Sequence, residues 1–448
     1  MDGVKVMNGN IKKSTQQLFS VPQNDNIVRG RIKQKNIVSE KEKYNDDYVT
    51  THISKLRKAT YRKDGRYQVV VNKNGKKKTI YGKSPYRANC MADIYEAEDN
   101  IELHKILTVP KYRFLFRYSF FRWRNYMLFY SCLEKSTVER YENTYKKYIA
   151  GKSIDNFDVR KLDTKHLTQF FYSILDEKES ISTKDYQAIR HIIKGCIDFV
   201  YDQELDEEED EEPSLDWDKV KRRIPKGKIY SKKRMERTVS QSSKNELNNN
   251  LGSKDYDDNY ACKIMLLINF SLGLRIGELA ALEVTDVDMI ERIVYIRNNY
   301  KTECVRDEYG NRTGVRKHYL SHTKTPKGER MIPISDSAYE LFKQLFEYRK
   351  RKGISSKFLA CDGDKCRDRT KKLNRVLNEW CDEAGVMKFN PHKIRKTFAS
   401  ILSKSPELDI ATISAWLGHA QVSTTLNNYI VPEDESVDEQ IKKMSSYV

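Results

Sequence analysis

The sequence predicts a multidomain protein that is mainly α-helical with small β parts. Its 448 residues exceed the size at which one hydrophobic core usually suffices, so two or three domains are expected. Strand and turn signals concentrate in residues 55–87, and apolar residues at three- and four-residue spacing follow in 112–203. From residue 238 onward, strand and helix signals are mixed. We therefore predict a small sheet with one helix, then a helical bundle, then a mixed α+β domain.

The charge balance favours a polyanionic partner. The chain has 82 Lys and Arg against 64 Asp and Glu, which gives a formal net charge of +18. Such an excess is typical of proteins that bind nucleic acid, although a basic protein without that function can have the same balance. Charge alone therefore leaves the partner open.

Cysteine usage and hydropathy predict an intracellular protein. The eight cysteines form no CxxC pair and no zinc-type spacing, so we expect reduced thiols and no metal or other cofactor. The first ten residues lack the apolar segment of a signal peptide, and no apolar run reaches the roughly 20 residues of a membrane helix. We expect a cytoplasmic protein with no membrane association. The polar residues 1–50 are predicted to be a flexible arm.

Residues 51–105 are predicted to form a basic sheet followed by a helix. Between positions 55 and 87 the chain carries twelve Lys or Arg and one acid, a net charge of +11. Gly65 and Gly75 mark two turns, and Ser84 with Pro85 begins a helix. Such a sheet can enter the major groove of DNA, whereas the alternative is a solvated charged hairpin. The candidate DNA contacts are Arg62, Arg66, Lys73, Lys76, Lys77 and Lys78.

Residues 110–212 are predicted to form a helical bundle that ends in an acidic run. The aromatic residues of the bundle have helical spacing and are expected to form its core rather than to stack on bases. Residues 204–212 hold eight acids in nine positions and are predicted to be a solvated loop. The alternative is a DNA mimic that occupies a basic groove. Residues 213–237 are then predicted to be an extended basic linker, with Lys226 and Lys228 as further candidate DNA contacts.

Five stretches within residues 238–448 carry side chains suited to a reaction at a phosphodiester. They are LGLRIGELAAL, HTKTPKGERMIPI, PHKIRKTFAS, WLGHAQVSTT and TTLNNYI. In chain order they supply Arg275, Lys324, His392, Arg395, His419 and Tyr429. Each residue alone has an ordinary structural explanation, such as a helix start or a surface pair. The complete set in this order is what chance rarely supplies.

The arginines and the tyrosine of this set have complementary chemistry. Arg275 and Arg395 can each bind two phosphate oxygens in one plane, and Glu278 lies where it can orient Arg275. Tyr429 is the candidate nucleophile. Because a free phenol has a pKa of about 10, the tyrosine needs nearby cations and a proton acceptor, for which His392 is suited.

The remaining members of the set can manage protons and hydrogen bonds. His419 can donate a hydrogen bond to a non-bridging phosphate oxygen. Lys324 can protonate the departing 5′ oxygen, and Lys327 in the same turn competes for this role. A metal-dependent nuclease is disfavoured because no carboxylate cluster accompanies the arginines in the sequence.

This set resembles the catalytic motifs of the tyrosine recombinases, the phage-type integrase family. Arg275 in G-L-R-I-G-E-L is similar to the first arginine motif of the family, and Lys324 resembles its hairpin lysine, after a strand region longer than usual. The stretch from His392 to Ala399 resembles the box H-x-L-R-H-T-F-A, with Lys396 where His is frequent. His419 lies in an L-G-H motif, and Tyr429 follows ten residues later, a spacing that the integrase branch uses.

The resemblance implies an organisation for the whole chain. Residues 51–105 are similar to the arm-site DNA-binding domain of integrases from phages and conjugative transposons. Residues 110–212 resemble the helical, SAM-like core-binding domain, and residues 213–237 would link it to the catalytic domain. Residues 238–448 would be the mixed α+β tyrosine recombinase catalytic domain with a C-terminal tail.

The resemblance also implies partners and a mechanism. A homotetramer would hold two double-stranded DNA sites at their core and arm sequences, and Tyr429 would form a 3′-phosphotyrosine without metal or ATP. An excision factor or a host DNA-bending protein is a candidate partner, and the protein would be associated with the nucleoid. The alternatives are a Xer-like chromosome or plasmid resolvase, a type IB topoisomerase and a catalytically inactive DNA-binding regulator on the same fold.

Overall fold

The structure of the chain is a computed structural model that falls into two compact units. It describes residues 52–131, 133–205, 212–231, 238–251, 259–322, 328–360, 368–419 and 421–429, with no side chains at 424 and 427–429. The arm 1–50, Lys324, Lys327, most of the acidic run and the tail after Tyr429 lie outside the described residues. The units are Met1–Lys233 with Cys304–Val315, and Arg234–Glu303 with Arg316–Val448.

The first unit begins with the predicted three-stranded antiparallel sheet. Its strands, in spatial order, are β1 (Thr60–Tyr61), β2 (Tyr67–Lys73) and β3 (Lys76–Gly82). Asn74 and Gly75 have φ of 52° and 78°, the backbone that a two-residue type I′ turn requires. Helix α1 (Pro85–Glu96) follows, and the Ser84 hydroxyl accepts a hydrogen bond from a backbone N–H of its first turn. The prediction of a sheet followed by a capped helix is confirmed.

The strand register separates the sheet into a packed face and an open face. Val69 and Ile80 pair across β2 and β3 and are buried with Val71 against α1. Because neighbouring residues on a strand point to opposite faces, the pairs in between lie on the other side. These pairs are Gln68 with Tyr81, Val70 with Thr79, and Asn72 with Lys77. We call these six residues the open face of the sheet.

The rest of the first unit is mainly helical. Its helices are α2 (Ile101–Thr108), α3 (Pro110–Arg113), α4 (Phe116–Tyr130), α5 (Lys135–Tyr148), α6 (Thr164–Lys178), α7 (Thr183–Phe199) and α8 (Trp217–Arg223). Two short strands, β4 (Ile181–Ser182) and β5 (Ile229–Tyr230), pair in parallel. Aromatic residues fill the core between the helices, where Phe120 stacks on Tyr145 with 3.9 Å between ring centroids. The predicted aromatic core of the bundle is therefore confirmed.

Helix α8 corrects the prediction that residues 213–237 are an extended linker. The Asp216 carboxylate accepts a hydrogen bond from the Lys219 N–H at 2.8 Å and so caps the helix. Trp217 and Val220, three residues apart, are buried in the helical core. A short apolar face thus outweighs the basic composition of this segment.

The predicted solvated acidic run, residues 204–212, is wrong at its first residue, Glu204, which is buried. It ends a π-helical turn, Val200–Glu204, that continues α7, and its side chain is 0% exposed. Arg122 Nε and Nη2 donate to its two carboxylate oxygens at 2.6 and 2.9 Å, and the Tyr86 hydroxyl donates at 2.6 Å. Burial opposes ionisation, but the charges of Arg122 and Arg113 outweigh it and lower the pKa of the carboxyl to about 2. The fold needs this acid because a buried arginine needs a counter-charge.

We expect Glu204→Gln to destabilise the first unit by about 3–5 kcal/mol, because Arg122 would stay buried without its counter-charge. Hydrogen exchange of the α4 amides in the full chain measures this loss. The wild-type contribution is present above the ordinary pKa of 4.5 and is lost as the pH falls towards about 2, so the variant should lack this pH dependence. Glu212→Gln, at an exposed acid of the same run, is the control. Equal α4 protection in both variants would contradict the expectation.

The second unit has a mixed fold around one buried helix. Its helices are α9 (Gln241–Asn249), α10 (Tyr260–Leu272), α11 (Ile276–Ala281), α12 (Asp336–Arg351), α13 (Arg369–Glu383), α14 (Pro391–Leu402), α15 (Ile410–Leu417) and α16 (Val422–Tyr429). Its strands are β6 (Val287–Asp288), β7 (Ile293–Ile296), β8 (Asn298–Arg306), β9 (Arg312–His322) and β10 (Arg330–Pro333). Antiparallel strands form a sheet in the order β10-β7-β6, and β8 pairs with β9. Every residue of α10 up to Phe270 is buried, so α10 lies at the centre of the core of this unit.

The tip of the β8–β9 hairpin, Cys304–Val315, belongs to the first unit. Arg306 donates to both carboxylate oxygens of Glu142, at 2.7 and 2.9 Å, and Arg312 Nε donates to the same carboxylate at 2.8 Å. The Tyr309 carbonyl accepts a hydrogen bond from Arg124 at 2.9 Å. The extra length of this hairpin therefore has a structural role, because its tip makes these hydrogen bonds. Among the described residues, none of the helices has both the length and the apolar character needed to cross a bilayer.

Candidate active site

The turn between α10 and α11 places Arg275. Gly273 ends α10 with a φ of 60°, and a Cβ at this position would lie 2.2 Å from a carbon of the Phe398 ring, so only glycine fits. The fully buried Asn269 side chain accepts a hydrogen bond from the turn backbone at 2.7 Å. The turn therefore fixes two groups of the site. These are Arg275, which begins α11, and the Gly273 carbonyl, which accepts a hydrogen bond from Arg395 Nη1 at 2.9 Å.

Glu278 is buried and holds two arginines. Arg275 Nη1 donates to Oε1 at 2.8 Å, and Arg330 Nη2 donates to Oε2 at 2.8 Å. Burial opposes the charge of Glu278, but Arg330 and then Arg275 outweigh it and lower the pKa of the carboxyl to about 2. The Arg275 side chain stays 44% exposed, and its Nη2 also donates to the Gly418 carbonyl at 3.1 Å. Arg275 is therefore oriented by the protein while it remains open to an anion.

Arg395 is the most enclosed cation of the site. It lies on α14 and is 1% exposed. Its Nη2 donates to the Leu417 carbonyl at 2.5 Å and lies 2.8 Å from His419 Nε2. With the bond to the Gly273 carbonyl, these contacts fix the plane of the guanidinium. A planar cation held in this way costs little reorganisation when a phosphate develops charge beside it.

The hydrogen-bond network defines the tautomer of His419. A guanidinium can only donate, so His419 Nε2 accepts the hydrogen bond from Arg395. The proton of the neutral ring is then on Nδ1, which donates to Thr425 Oγ1 at 2.8 Å. Burial, followed by the charges of Arg395 and Arg275, lowers the pKa of His419 to about 4. The ring is therefore neutral near pH 7.

His392 lies near the same cations. It is an exposed residue in the first turn of α14, which Pro391 begins and the Asn390 side chain caps. Desolvation, then the charges of Arg395 and Arg275, lower the pKa of His392. A neutral imidazole near these arginines can accept a proton, which is the role that the sequence predicts.

The described residues bring together most of the predicted site. Arg275, Glu278, His392, Arg395 and His419 form one cluster in the second unit. Tyr429 is the last residue of α16, and its side chain is outside the described part of the chain, as are Lys324 and Lys327. The roles predicted for these three residues stay predictions.

Two residues of the cluster, Arg330 and Thr425, are not among the candidate site residues that the sequence predicts. Arg330 is a buried partner of Glu278, and its Nε donates to the Trp416 carbonyl at 2.6 Å. A sequence signal exists, because Arg330 lies two residues before the buried Ile332 on β10. The two side chains therefore share the face towards the core, where an arginine needs a carboxylate. Thr425 has no such signal, since its contact with His419 depends on how α15 and α16 meet.

The basic residues predicted to contact DNA lie on both sides of the sheet in the first unit. Lys73 donates to the Tyr95 carbonyl at 3.1 Å and pairs with Asp99 at 3.0 Å, and the Lys78 ammonium lies 4.1 Å from the centre of the Tyr95 ring. These two lysines therefore stabilise α1 from the packed side. Lys76 is exposed at the hairpin end.

The remaining candidates are accessible. Arg62 and Arg66 both pair with Asp64, and each guanidinium lies 5.2 Å from the centre of the Tyr81 ring on the open face. Lys77 is exposed on the open face. Lys226 and Lys228 are exposed on either side of Gly227, which has a φ of 85°.

Residues 237–436 match the model of the phage integrase family. The chain is 27% identical to the transposase from transposon Tn916 of Enterococcus faecalis over 209 residues. This match covers 43% of this chain and 46% of the transposase. The match thus spans about half the length of that relative. A tyrosine recombinase XerC-like protein of Caldanaerobacter subterraneus is 23% identical over 313 residues, covering 67% of this chain and 76% of that protein.

Solved structures share the fold of this chain. The integrase of transposon Tn1549 in complex with circular intermediate DNA superposes with a TM-score of 0.51 and 18% identity, over 73% of this chain and 99% of that one. Its complex with transposon right end DNA has a TM-score of 0.50 and 15% identity. The predicted multidomain fold, mainly helical with small sheets, is confirmed. Residues 237–436 of this chain are a domain of the phage integrase family, the tyrosine recombinases.

Proposed function

We propose that the chain is a site-specific tyrosine recombinase that integrates and excises a mobile genetic element. The observation that carries this proposal is the joint anchoring of two arginines. Arg275 and Arg395 are each held by a backbone carbonyl of a glycine in the left-handed region, Gly418 and Gly273, and Arg395 contacts His419. Two fixed guanidinium groups beside neutral imidazoles are suited to the charge that develops on a phosphodiester.

The proposed reaction uses one residue for each task. Tyr429 Oη forms a bond to phosphorus while the bond to the 5′ oxygen breaks. His392 accepts the phenol proton, and Lys324 gives a proton to the 5′ oxygen that leaves. The product is a 3′-phosphotyrosine and a free 5′ hydroxyl, and attack by another 5′ hydroxyl reverses these steps and rejoins the DNA. Since the phosphotyrosine conserves the bond energy, the proposed reaction needs no ATP, and the two arginines would supply the positive charge that a metal provides in other enzymes.

The relatives support a mobile element as the substrate. The matched proteins include a transposase and an integrase of transposons, the latter in complex with transposon end DNA. We propose double-stranded core and arm sites as the DNA partners and a homotetramer as the active assembly. An excision factor or a host DNA-bending protein would direct the reaction, and the protein would act at the nucleoid.

The division of labour along the chain is also a proposal. Residues 51–105 would bind arm sites, 110–212 would bind the core site, and 238–448 would carry out the chemistry. The basic segment 213–237 would follow the phosphate backbone through Lys226 and Lys228, which are exposed.

A recombination assay tests the proposed function. Each of two plasmids carries the DNA that borders the gene on one side, and the reaction runs with EDTA and without ATP. We expect recombinant plasmids that depend on both bordering segments. Relaxation of unrelated supercoiled DNA would indicate a topoisomerase instead, and activity lost in chelator would indicate a metal-dependent nuclease. DNA binding without any recombinant or nicked product would support an inactive regulator.

We propose that the open face of the sheet reads the arm site in the major groove. Asn72 can bind an adenine edge, Lys77 can bind guanine or phosphate, and the 55% exposed Val70 can contact a thymine methyl group. Arg62 and Arg66, whose guanidinium groups lie beside the Tyr81 ring of this face, would bind phosphates. Lys73 and Lys78, which stabilise α1, would then contribute little to the contact.

Lys77→Ala is expected to weaken binding to arm-site duplex. The slope of the logarithm of the binding constant against the logarithm of the salt concentration should fall by about one, because one fewer counterion is released. Asn72→Ala should weaken binding roughly 5- to 100-fold at the preferred sequence and relax the preference at one base pair. Fluorescence anisotropy across a salt series measures both effects. Lys105→Ala removes the same charge from α2, which is not part of the open face, and an equal loss in that control would contradict the assignment.

A further inference from the structure

Thr425 occupies an unusual position between two parts of the site. It is 1% exposed, and its hydroxyl oxygen lies 2.8 Å from His419 Nδ1. The residue is on α16, one helical turn before Tyr429, so the two residues share one side of that helix. His419, in turn, is bound to Arg395 through its other nitrogen. A continuous chain of hydrogen bonds therefore runs from the helix of the proposed nucleophile to the most enclosed arginine.

A hydroxyl is the one neutral side-chain group of this size that can serve His419 in both of its tautomers. In the present network, Nδ1–H donates to Thr425 and Nε2 accepts from Arg395. When His419 donates from Nε2 to a phosphate oxygen, Nδ1 must become an acceptor. The threonine hydroxyl can then rotate and donate to it, because a hydroxyl is both donor and acceptor. The ring keeps its position in either state.

We propose that Thr425 is a positioning residue for strand cleavage: its hydroxyl holds the His419 ring and fastens α16 to the Arg395–His419 pair. The helix that carries Tyr429 is thereby docked on the arginine that binds the phosphate. This inference rests on the proposed recombinase function and deepens it. Thr425 itself touches neither the phosphate nor the leaving oxygen in this account.

The surroundings of His419 make the hydroxyl necessary. The ring is 8% exposed, so water is a poor substitute partner at Nδ1. Among the described residues, Arg395, Arg275 and Arg330 are the cations that act on the ring, and Glu278 is the acid. Arg395 holds the ring at Nε2, and the bond to Thr425 holds it at Nδ1, so the two bonds together fix its orientation.

A matched pair of substitutions isolates the hydroxyl. Thr425→Val keeps the shape and removes the hydroxyl, whereas Thr425→Ser keeps the hydroxyl and removes the methyl group. Thr168→Val is the control, because the hydroxyl of that buried threonine donates to the Thr164 carbonyl of its own helix, α6. The probe is a nicked suicide duplex made from the DNA that borders the gene, and single-turnover formation of the covalent adduct gives the cleavage rate.

We expect Thr425→Val to cleave roughly 10- to 100-fold more slowly, with duplex binding and melting temperature close to wild type, because misplacing a reacting group by about 1 Å costs a factor of this size. Thr425→Ser should recover most of the rate, and Thr168→Val should match wild type. Wild-type cleavage by Thr425→Val would overturn the inference. So would equal losses in Thr425→Val and Thr425→Ser, since these would indicate packing rather than the hydroxyl.

A second measurement separates this inference from the proposed function. Nitrogen-15 NMR of histidine-labelled, DNA-free chain reports the His419 tautomer, with His419→Gln used to assign the signal. We expect the Nδ1–H form in wild type and Thr425→Ser, and a changed tautomer population in Thr425→Val. An unchanged population would overturn the role of Thr425 in holding the ring. Failure of wild type to form any adduct would sink the recombinase proposal, while the tautomer result would still stand on its own.

Discussion

Arg395→Lys is expected to leave DNA binding nearly intact and to slow strand cleavage roughly 100- to 1000-fold. The positive charge remains, but an ammonium cannot keep the planar bonds to the Gly273 carbonyl, the Leu417 carbonyl and His419 while it also binds a phosphate. The arginine is 1% exposed, so water cannot easily replace the lost bonds. Covalent adduct formation on a suicide duplex measures the rate.

The control for this substitution removes the same chemical group from an ordinary site. Arg375 lies on α13, where it forms an exposed pair with Glu379 at 2.9 Å. Arg375→Lys should cleave and bind like wild type, because exposed pairs contribute little. A cleavage rate for Arg395→Lys within about threefold of wild type would show that charge alone suffices, and would contradict the proposed role of the fixed guanidinium plane.

Local signals in the sequence account for most of the fold. Asn74-Gly75 predicts a hairpin turn because few other residue pairs adopt positive φ, and both residues have it. The unbroken apolar helix that ends at Gly273 predicts a buried α10, since such a run has no polar face to expose. The cluster of Arg275, Arg395 and His419 could be predicted because their motifs occur in the order that the resemblance to the family implies.

The structural features that the sequence does not predict depend on contacts between residues far apart in the chain. Glu204 belongs to a run of acids, and nothing local shows that Arg122, 82 residues earlier, requires it. Lys73 and Lys78 look like their neighbours Lys76 and Lys77, and only the register against Tyr95 assigns them to the packed side. Thr425 is ordinary in composition, and its role follows from the approach of α15 to α16.

Helix α8 lies where the sequence composition predicted an extended linker, so here a local signal was present but was given too little weight. Basic composition and a proline favour an extended linker, yet Asp216 provides a cap and Trp217 provides an apolar anchor. Burial of two side chains decided the structure there, which charge counting does not register. The sequence contains both signals, and the apolar one outweighs the charged one because the bundle lies close enough to cover it.

Tyr429→Phe is expected to abolish covalent adduct formation, because the phenyl ring keeps the shape of the side chain and has no oxygen to attack phosphorus. Binding of duplex DNA should be unchanged. Tyr339→Phe on α12, where Tyr339 lies beneath the Arg292 guanidinium at 4.5 Å, is the matched control and should form the adduct at the wild-type rate.

Peptide mapping of the trapped adduct tests the central claim most directly. The wild-type chain is incubated with a nicked suicide duplex in EDTA, digested with protease, and the DNA-linked peptide is identified by mass spectrometry. We predict one such peptide, with the nucleotide attached to Tyr429 through a 3′ phosphate, and none from Tyr429→Phe. A nucleotide attached to any other residue, or an adduct that persists in Tyr429→Phe, would contradict the account.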